Sequence, residues 1–292
     1  MKNIIPKVAL VHDLSGYGRV SLTEGLPILS AMGIEACPLP TAVLSTHTYK
    51  FENYTFCDLT EEMPKIIDHW KTLGLHFDAI YSGYMGSKKQ IEILENFIDD
   101  FGKDSLVVVD PVLGDAALCE DGLYSERMLE LTENMKQLVK KADIITPNLT
   151  ETCLLLDEEY PKGYLSNSQI KEYLEKLSKL GIDKIAITSI MTSENSMCVA
   201  VYDKGKYYKV DCGFVNRPFH GTGDVFTSVL TGACLKGYSF IEASDIAVGF
   251  CKKAIRETMK HPRMQVENGV LFEPVLAEYF SKKEFETYHI EI

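Results

Sequence analysis

With 292 residues, 46% of them hydrophobic, the chain has enough apolar material for a large core and lacks the composition of a disordered polymer. Its 42 acidic against 30 basic residues leave a formal charge of −12, and the lysines and arginines are scattered. Capture of nucleic acid by bulk charge is therefore excluded, and any phosphate must be held locally. Apolar runs such as "SLVVVDPVL" are too short for a membrane span, and the eight cysteines include no C-x-x-C pair. With a start, "MKNIIPKVALVHD", that lacks a signal-peptide profile, these features predict a cytoplasmic protein with reduced thiols and no membrane partner.

In chain order, short β-rich runs alternate with segments of helical period. "KVALVHD" precedes a helix over 20–33, "FDAIYSG" one over 87–101, "SLVVVD" one over 125–141, and "ADIITP" one over 148–157. A helix over 168–181 leads into "DKIAITS". This alternation predicts an α/β fold: a mostly parallel central sheet with helices on both faces. The rhythm changes at 196–213, where two strand-like runs flank Asp203-Lys204-Gly205, predicting an antiparallel hairpin near one sheet edge. Helices over 223–236 and 239–260 follow, the last stopping before Pro262. No repeat or polar linker divides the chain, so residues 1–292 are expected to form one domain.

Ligands of such sheets bind beyond the carboxyl ends of the strands. Asp13, Ser82-Gly83-Tyr84, Asp110, Thr146 with Asn148, and Thr188-Ser189 are all expected there, on one rim. The first glycine cluster, "VHDLSGYGRVSLTEG", places Gly16 and Gly18 between a strand and a helix. Ser21 stands where a dinucleotide fingerprint needs its third glycine, which disfavours a nicotinamide oxidoreductase. A structural turn or a substrate-facing loop remain, the latter making Asp13 and Ser15 substrate-side candidates. No G-x-x-x-x-G-K-[ST] motif supports a P-loop.

In "VVVDPVLGD", Asp110 and Asp115 lie at a strand-end loop and suit a hydrated divalent cation; turn capping by Asp110 is the alternative. Asn148 and Glu151 stand three apart at a helix start, where a capping box and a role in holding a metal with its waters are both open. No histidine spacing supports zinc. His47 either faces substrate or packs, Tyr84 is a core residue or an aromatic platform, and Cys119 is either an exposed thiol on a polar loop or structural.

The segment "FHGTGDVFTSVLTG" carries the most chemistry. Gly221, Thr222 and Gly223 bare backbone amides at a helix start, and the helix dipole makes them an anion hole for a phosphoryl group. Asp224 beside it is placed to take a proton from an attacking alcohol.

With "GTGD", "DPVLGD", "TPNLTE", "SGYMGS" and "LSTHT" in order over nearly its whole length, the chain resembles the pyridoxal kinases of the ribokinase-like superfamily. The resemblance implies ATP-dependent phosphorylation of the 5′-hydroxymethyl group of a B6 vitamer, with Asp224 as base and 221–223 as anion hole. It further implies that Asp115 and Glu151 help hold magnesium and that Asn148 and Thr188, with Ser189 beside them, meet ATP phosphates. Thr48 and Tyr84 are implied to contact the pyridine ring, potassium is a further candidate ion, and members are commonly cytoplasmic homodimers. Asp13 replaces a serine found in many pyridoxal kinases, and "LSGYG" is nearer the hydroxymethylpyrimidine kinases. Those enzymes are therefore the first rival, and a non-catalytic pyridoxal phosphate carrier is another. Asp13, if ionised, is expected to read ring substituents that donate hydrogen bonds, and Asp115 and Glu151 are expected on an exposed rim.

Overall fold

A computed structural model describes residues 4–116, 126–213 and 219–281. Cys119 lies outside them. One nine-stranded sheet runs through the molecule. Its parallel block comprises β1 (Lys7–Ser15), β2 (Glu35–Leu44), β4 (Ala79–Ser82), β5 (Leu106–Val109), β6 (Ile144–Ile145) and β7 (Lys184–Ser193). β3 (Phe56–Asp58) is antiparallel on β2 at one edge; β8 (Ser196–Asp203) and β9 (Lys206–Asp211) continue antiparallel from β7 at the other. The spatial order is β3-β2-β1-β4-β5-β6-β7-β8-β9. The expected mostly parallel sheet with antiparallel strands at its edge is thus the observed one.

The strands read as apolar runs because both faces are covered. Ala9, Val11, Val107, Val109, Ile185 and Ile187 face one core with α2 (Met63–Thr72), α3 (Lys88–Phe101), α4 (Glu126–Leu138), α5 (Leu149–Leu156) and α6 (Asn167–Ser178). Val8, Leu10, Val108, Ile144 and Ala186 face the other, with α1 (Leu22–Ala31), α7 (Thr222–Leu235), α8 (Phe240–Met259) and α9 (Glu273–Ser281). The alternation within each run is the period of two that a pleated strand imposes. Among the described residues, no helix is long and apolar enough to cross a membrane.

Four elements escape the periodicity: β2, β3, α2 and α9. β2 contains Pro38 and Pro40, residues that argue against a strand interior. They are accommodated because β3 pairs only with Ala42–Leu44, so the outer edge of β2 at its prolines has no ladder to break. The expected hairpin is real, turning between Asp203 and Lys206, but β7 joins it as a third antiparallel partner. Thr188 and Ser189 consequently do not end a strand. They form a bulge within β7, where register shifts between Ile187 and Ile190 and Ser189 adopts φ 60°.

Gln90, 1% exposed in α3, fixes the loop after β4. Its Oε1 accepts from the Gly86 amide at 2.7 Å, while its Nε2 donates to the Thr41 carbonyl at 2.9 Å and the Thr60 hydroxyl at 2.9 Å. Gln90→Leu preserves the bulk and orphans a buried amide and a buried carbonyl. It is expected to lower unfolding free energy by about 2–4 kcal/mol, read from urea melts, since each orphaned group costs about 1–3 kcal/mol.

Candidate active site

The carboxyl ends of the parallel strands open onto a cavity of about 1170 Å³. Asp13, Ser15, His47, Thr48, Tyr84, Asp110, Asp115, Asn148, Glu151, Thr188, Ser189 and the 221–224 segment all line it. Residues singled out from seven separate stretches of sequence therefore meet in one place. His12, Ser21, Tyr49 and His220 line it as well, without having been anticipated.

α7 starts at the rim. Gly221 is its N-cap with φ 82°, and no side chain caps the first turn. A Cβ on Gly221 would lie 2.3 Å from the Arg19 carbonyl, so glycine is required by space as well as by φ. By contrast α3, α5, α6 and α8 are capped by Ser87, Asn148, Ser166 and Ser239. The amides of α7 face the cavity instead, where the helix dipole favours an anion.

Asp224 sits in the first turn of α7 with both carboxylate oxygens held. Oδ1 accepts from His12 Nε2–H at 2.8 Å and Oδ2 from the Ser21 amide at 2.8 Å. Asp13 belongs to the same network: Oδ1 accepts from the Ser21 hydroxyl at 2.6 Å and lies 3.1 Å from His12 Nδ1, and Oδ2 accepts from Ser15 at 2.9 Å. Burial would lower the His12 pKa; Asp224 and Asp13 outweigh it and raise it to about 10. The amides of Asp13 and Tyr84, 3.1 and 3.2 Å from Nδ1, would suit a bare nitrogen. Two flanking carboxylates are the stronger influence, so the upward direction holds. Burial opposes the charge of Asp13 too, and its hydrogen bond from His12 still holds its pKa below the ordinary carboxylate value.

These contacts correct two expectations. Asp13 is 6% exposed and its acceptors are occupied by His12, Ser21 and Ser15, so it supports neighbours instead of reading a ring. Ser15 is fully buried and spent on Asp13. His47 likewise packs: it donates from Nε2 to the Glu267 carbonyl at 2.6 Å and accepts at Nδ1 from the Tyr49 amide. Burial keeps its pKa below the ordinary histidine value, in keeping with that neutral tautomer. Its ring lies 4.6 Å from that of His220, which stacks on Tyr49 at 5.0 Å and 16°. Together with Tyr84 and the exposed Thr48, these rings wall one end of the cavity. The loop bearing Tyr17 and Arg19 is tied down from far along the chain: Tyr17 Oη donates to Asn268 Oδ1, Arg19 Nε to Glu273 at 2.6 Å, and Arg19 Nη1 to the Asn268 carbonyl at 3.1 Å.

On the other side of Asp224, Asp110 accepts from Thr227 at 3.1 Å. Burial, then Asp224, raises its pKa to about 7. Glu151 is 2% exposed, not on an exposed rim; Oε1 accepts from the Leu113 amide and Oε2 from the Asn148 amide. Asn148 completes the capping box and donates to the Gly114 carbonyl at 2.7 Å. Glu151→Ala would therefore orphan two amides and destabilise the fold. Burial and then Asp110 push the Glu151 pKa well up. Such mutually repelling buried carboxylates fit a nearby cation with hard-oxygen preference. Asp110, Asp115 and Glu151 nevertheless do not close into a cage: among the described residues, no three acidic, histidine or cysteine side chains assemble as a complete metal site. A metal here would depend on water and phosphate oxygens.

Comparison with known proteins decides the family. The phosphomethylpyrimidine kinase family model matches residues 26–269. The chain belongs to this family. The kinase is 47% identical to a Bacteroides thetaiotaomicron protein assigned to the phosphomethylpyrimidine kinases, with a TM-score of 0.89 and 96% of each chain covered. A second crystal form of that protein, covered to 95% with a TM-score of 0.86, contains pyridoxal. The Lactobacillus plantarum pyridoxal kinase is 29% identical, with a TM-score of 0.84 over 94% of this chain and 96% of that one. Among curated relatives, the kinase spans 47% of the thiamine biosynthetic bifunctional enzyme of Arabidopsis thaliana at 24% identity. It spans 65% of the hydroxymethylpyrimidine/phosphomethylpyrimidine kinase of Bacillus subtilis at 27% identity, the matches covering 86% and 62% of this chain. The similarity to pyridoxal kinases of the ribokinase-like superfamily, expected from the motifs, holds.

Glu24, fully buried in α1 behind Gly221, has no hydrogen-bond partner on either carboxyl oxygen. Burial first, then Asp224 and Glu273, raise its pKa well above 4.5. The folded state thus retains a proton that the unfolded chain releases above about pH 4.5, and stability falls as pH rises towards the folded value. Glu24→Gln, which has no proton to hold, is expected to gain about 1.4 kcal/mol on the parent per pH unit across that interval. Melting both proteins at pH 4, 6 and 8 checks this: the difference grows with pH, and a constant difference refutes it.

Proposed function

We propose that the kinase transfers the γ-phosphate of ATP to the 5′-hydroxymethyl group of a B6 vitamer. The observation that carries this reading is the pyridoxal held by the 47%-identical relative. The cavity lining supports it: Tyr49, His220 and Tyr84 offer faces for a flat heterocycle, and Asp224, the bare amides of α7, Thr188, Ser189, Lys252 and Arg256 line the same space, where a nucleotide's phosphates would find donors.

Asp224 takes the hydroxymethyl proton as the oxygen attacks the γ-phosphorus. The amides of Gly221, Thr222 and Gly223 then stabilise the phosphoryl oxygens in flight. Magnesium, when bound, supplies charge neutralisation for the phosphates. Asp115 and Asp110 would hold it through its waters, and Glu151 would keep the loop between them in place.

A second reading is a hydroxymethylpyrimidine kinase, favoured by the description of the matching family and by the Arabidopsis and Bacillus relatives. Both substrates offer a flat nitrogen ring and a primary alcohol. ADP release with pyridoxal, pyridoxine, pyridoxamine and hydroxymethylpyrimidine separates them: the expected kcat/KM for the best vitamer exceeds that for the pyrimidine by at least about tenfold, roughly 1.4 kcal/mol. The reverse ranking transfers the assignment to thiamine synthesis.

Asp224→Asn is expected to lower kcat by about 10²–10⁴-fold while ATP still binds; retention of a tenth of the parent kcat would remove Asp224 from the base role. Because the acceptors of Asp13 are already occupied, Asp13→Ser should depress kcat/KM for all vitamers alike. A change in their ranking would restore Asp13 as a reader of the ring.

A further inference from the structure

We propose that His12 is a positioning residue for phosphoryl transfer, clamping the Asp224 carboxylate in the orientation from which it meets the acceptor alcohol. The proposal rests on the reading of Asp224 as base. No motif in the sequence pointed to His12, and in β1 it follows the apolar run Val8–Val11. Its ring is 1% exposed, so it does not act from solvent.

Geometry carries the argument. Nε2 is 2.8 Å from Asp224 Oδ1; since a carboxylate only accepts, this nitrogen carries the hydrogen in either protonation state. Ser21 supplies the second point of attachment, through its amide to Oδ2. Two donors from different elements, one on each oxygen, fix the plane of the carboxylate as well as its position. The ring is itself anchored, with Nδ1 3.1 Å from Asp13 Oδ1, and Asp13 is braced by Ser21 and Ser15.

Space has been cleared for this ring. A Cβ on Gly83 would lie 2.0 Å from His12 Nε2 and 2.2 Å from Cδ2, so any other residue at 83 would collide with the imidazole. Gly83 has no positive φ, and its backbone alone does not demand glycine. The glycine after β4 therefore serves the histidine of β1.

Charged and titratable groups facing Asp224 are His12 from β1, Glu24 from α1, Tyr81 from β4, Asp110 beyond β5, and His47 and His220 from the adjoining loops. Of these His12 is the one hydrogen-bonded to it, and its removal takes a cation from beside a carboxylate.

The test uses His12→Leu, which deletes both ring nitrogens, and His12→Gln, which keeps a neutral donor. Expected for His12→Leu is a fall in kcat of about 30–100-fold, with KM for ATP and for the acceptor within about threefold of the parent. His12→Gln should recover at least about fivefold of that loss. A kcat for His12→Leu within threefold of the parent, or a loss in His12→Gln as large as that in His12→Leu, would make His12 a packing residue and overturn the proposal. Should His12→Leu fail to fold, Gly83→Ala tests the same clamp by displacing the ring, and an unaltered kcat there is equally fatal. A readout independent of turnover separates this inference from the assignment of function: NMR titration of the ¹⁵N-labelled His12 ring in parent and Asp224→Asn. A lower titration point in the variant, even in a protein inactive on every alcohol tried, upholds the pairing and faults only the functional reading; identical titrations refute the pairing.

Discussion

The site depends on a closed ring of hydrogen bonds running Asp13, His12, Asp224, Ser21 and back to Asp13. Its members come from β1, from the entry to α1 and from the first turn of α7, segments about 200 residues apart in sequence. Buried carboxylates are tolerated only when paired and satisfied, and here two share one imidazole and one serine. The pairing therefore fixes the distance between the sheet and the start of α7, and with it where the bare amides of 221–223 point. Without that link, α7 would be a buried helix with an acid near its start, a contribution worth tenths of a kcal/mol to about 1 kcal/mol.

A gradient of charge follows across the cavity. At the ring-walled end, His47 and His220 are driven towards neutrality by burial, the latter to about 4, so that end presents uncharged aromatic faces. Towards the open end, Asp110 and Glu151 are forced up by burial and by other carboxylates, a strain that a cation relieves. Asp224 lines the same cavity, so neutral rings and crowded carboxylates share one space.

Much of this was legible in the sequence because it depended on local signals. Period-two apolar runs located the inner strands, and "GTGD" located the uncapped start of α7 at the cavity. Other features were illegible for identifiable reasons. β2 hid behind Pro38 and Pro40, whose tolerance depends on β3 ending early, a fact of tertiary pairing. His12 looked like the last residue of an apolar strand; its partner is 212 residues away, and only the packing of α7 against α1 and β4 brings them together. Asp13 was recognised as a site residue but given the wrong task, because a sequence shows that a carboxylate is present and not how many of its lone pairs neighbours have claimed. Glu151 was open between cap and metal holder, and its buried capping box is now plain.

The wall of the ring-binding end is closed by a segment from near the other terminus of the chain. The Glu267 carbonyl takes the His47 hydrogen bond, Asn268 and Glu273 take Arg19 and Tyr17, and a Cβ on Gly269 would press to 2.7 Å on the Arg19 carbonyl. On the ribosome, where synthesis proceeds from the N-terminus at roughly 5–20 residues per second, β1 and its loop emerge long before the residues that seal them. The network of His12, Asp13, Ser21 and Asp224 can assemble once α7 has appeared, but the anchoring of His47, Tyr17 and Arg19 must wait for residues 267–273. A nascent chain stalled between α8 and residue 266 would have the network complete and the cavity wall still unfastened.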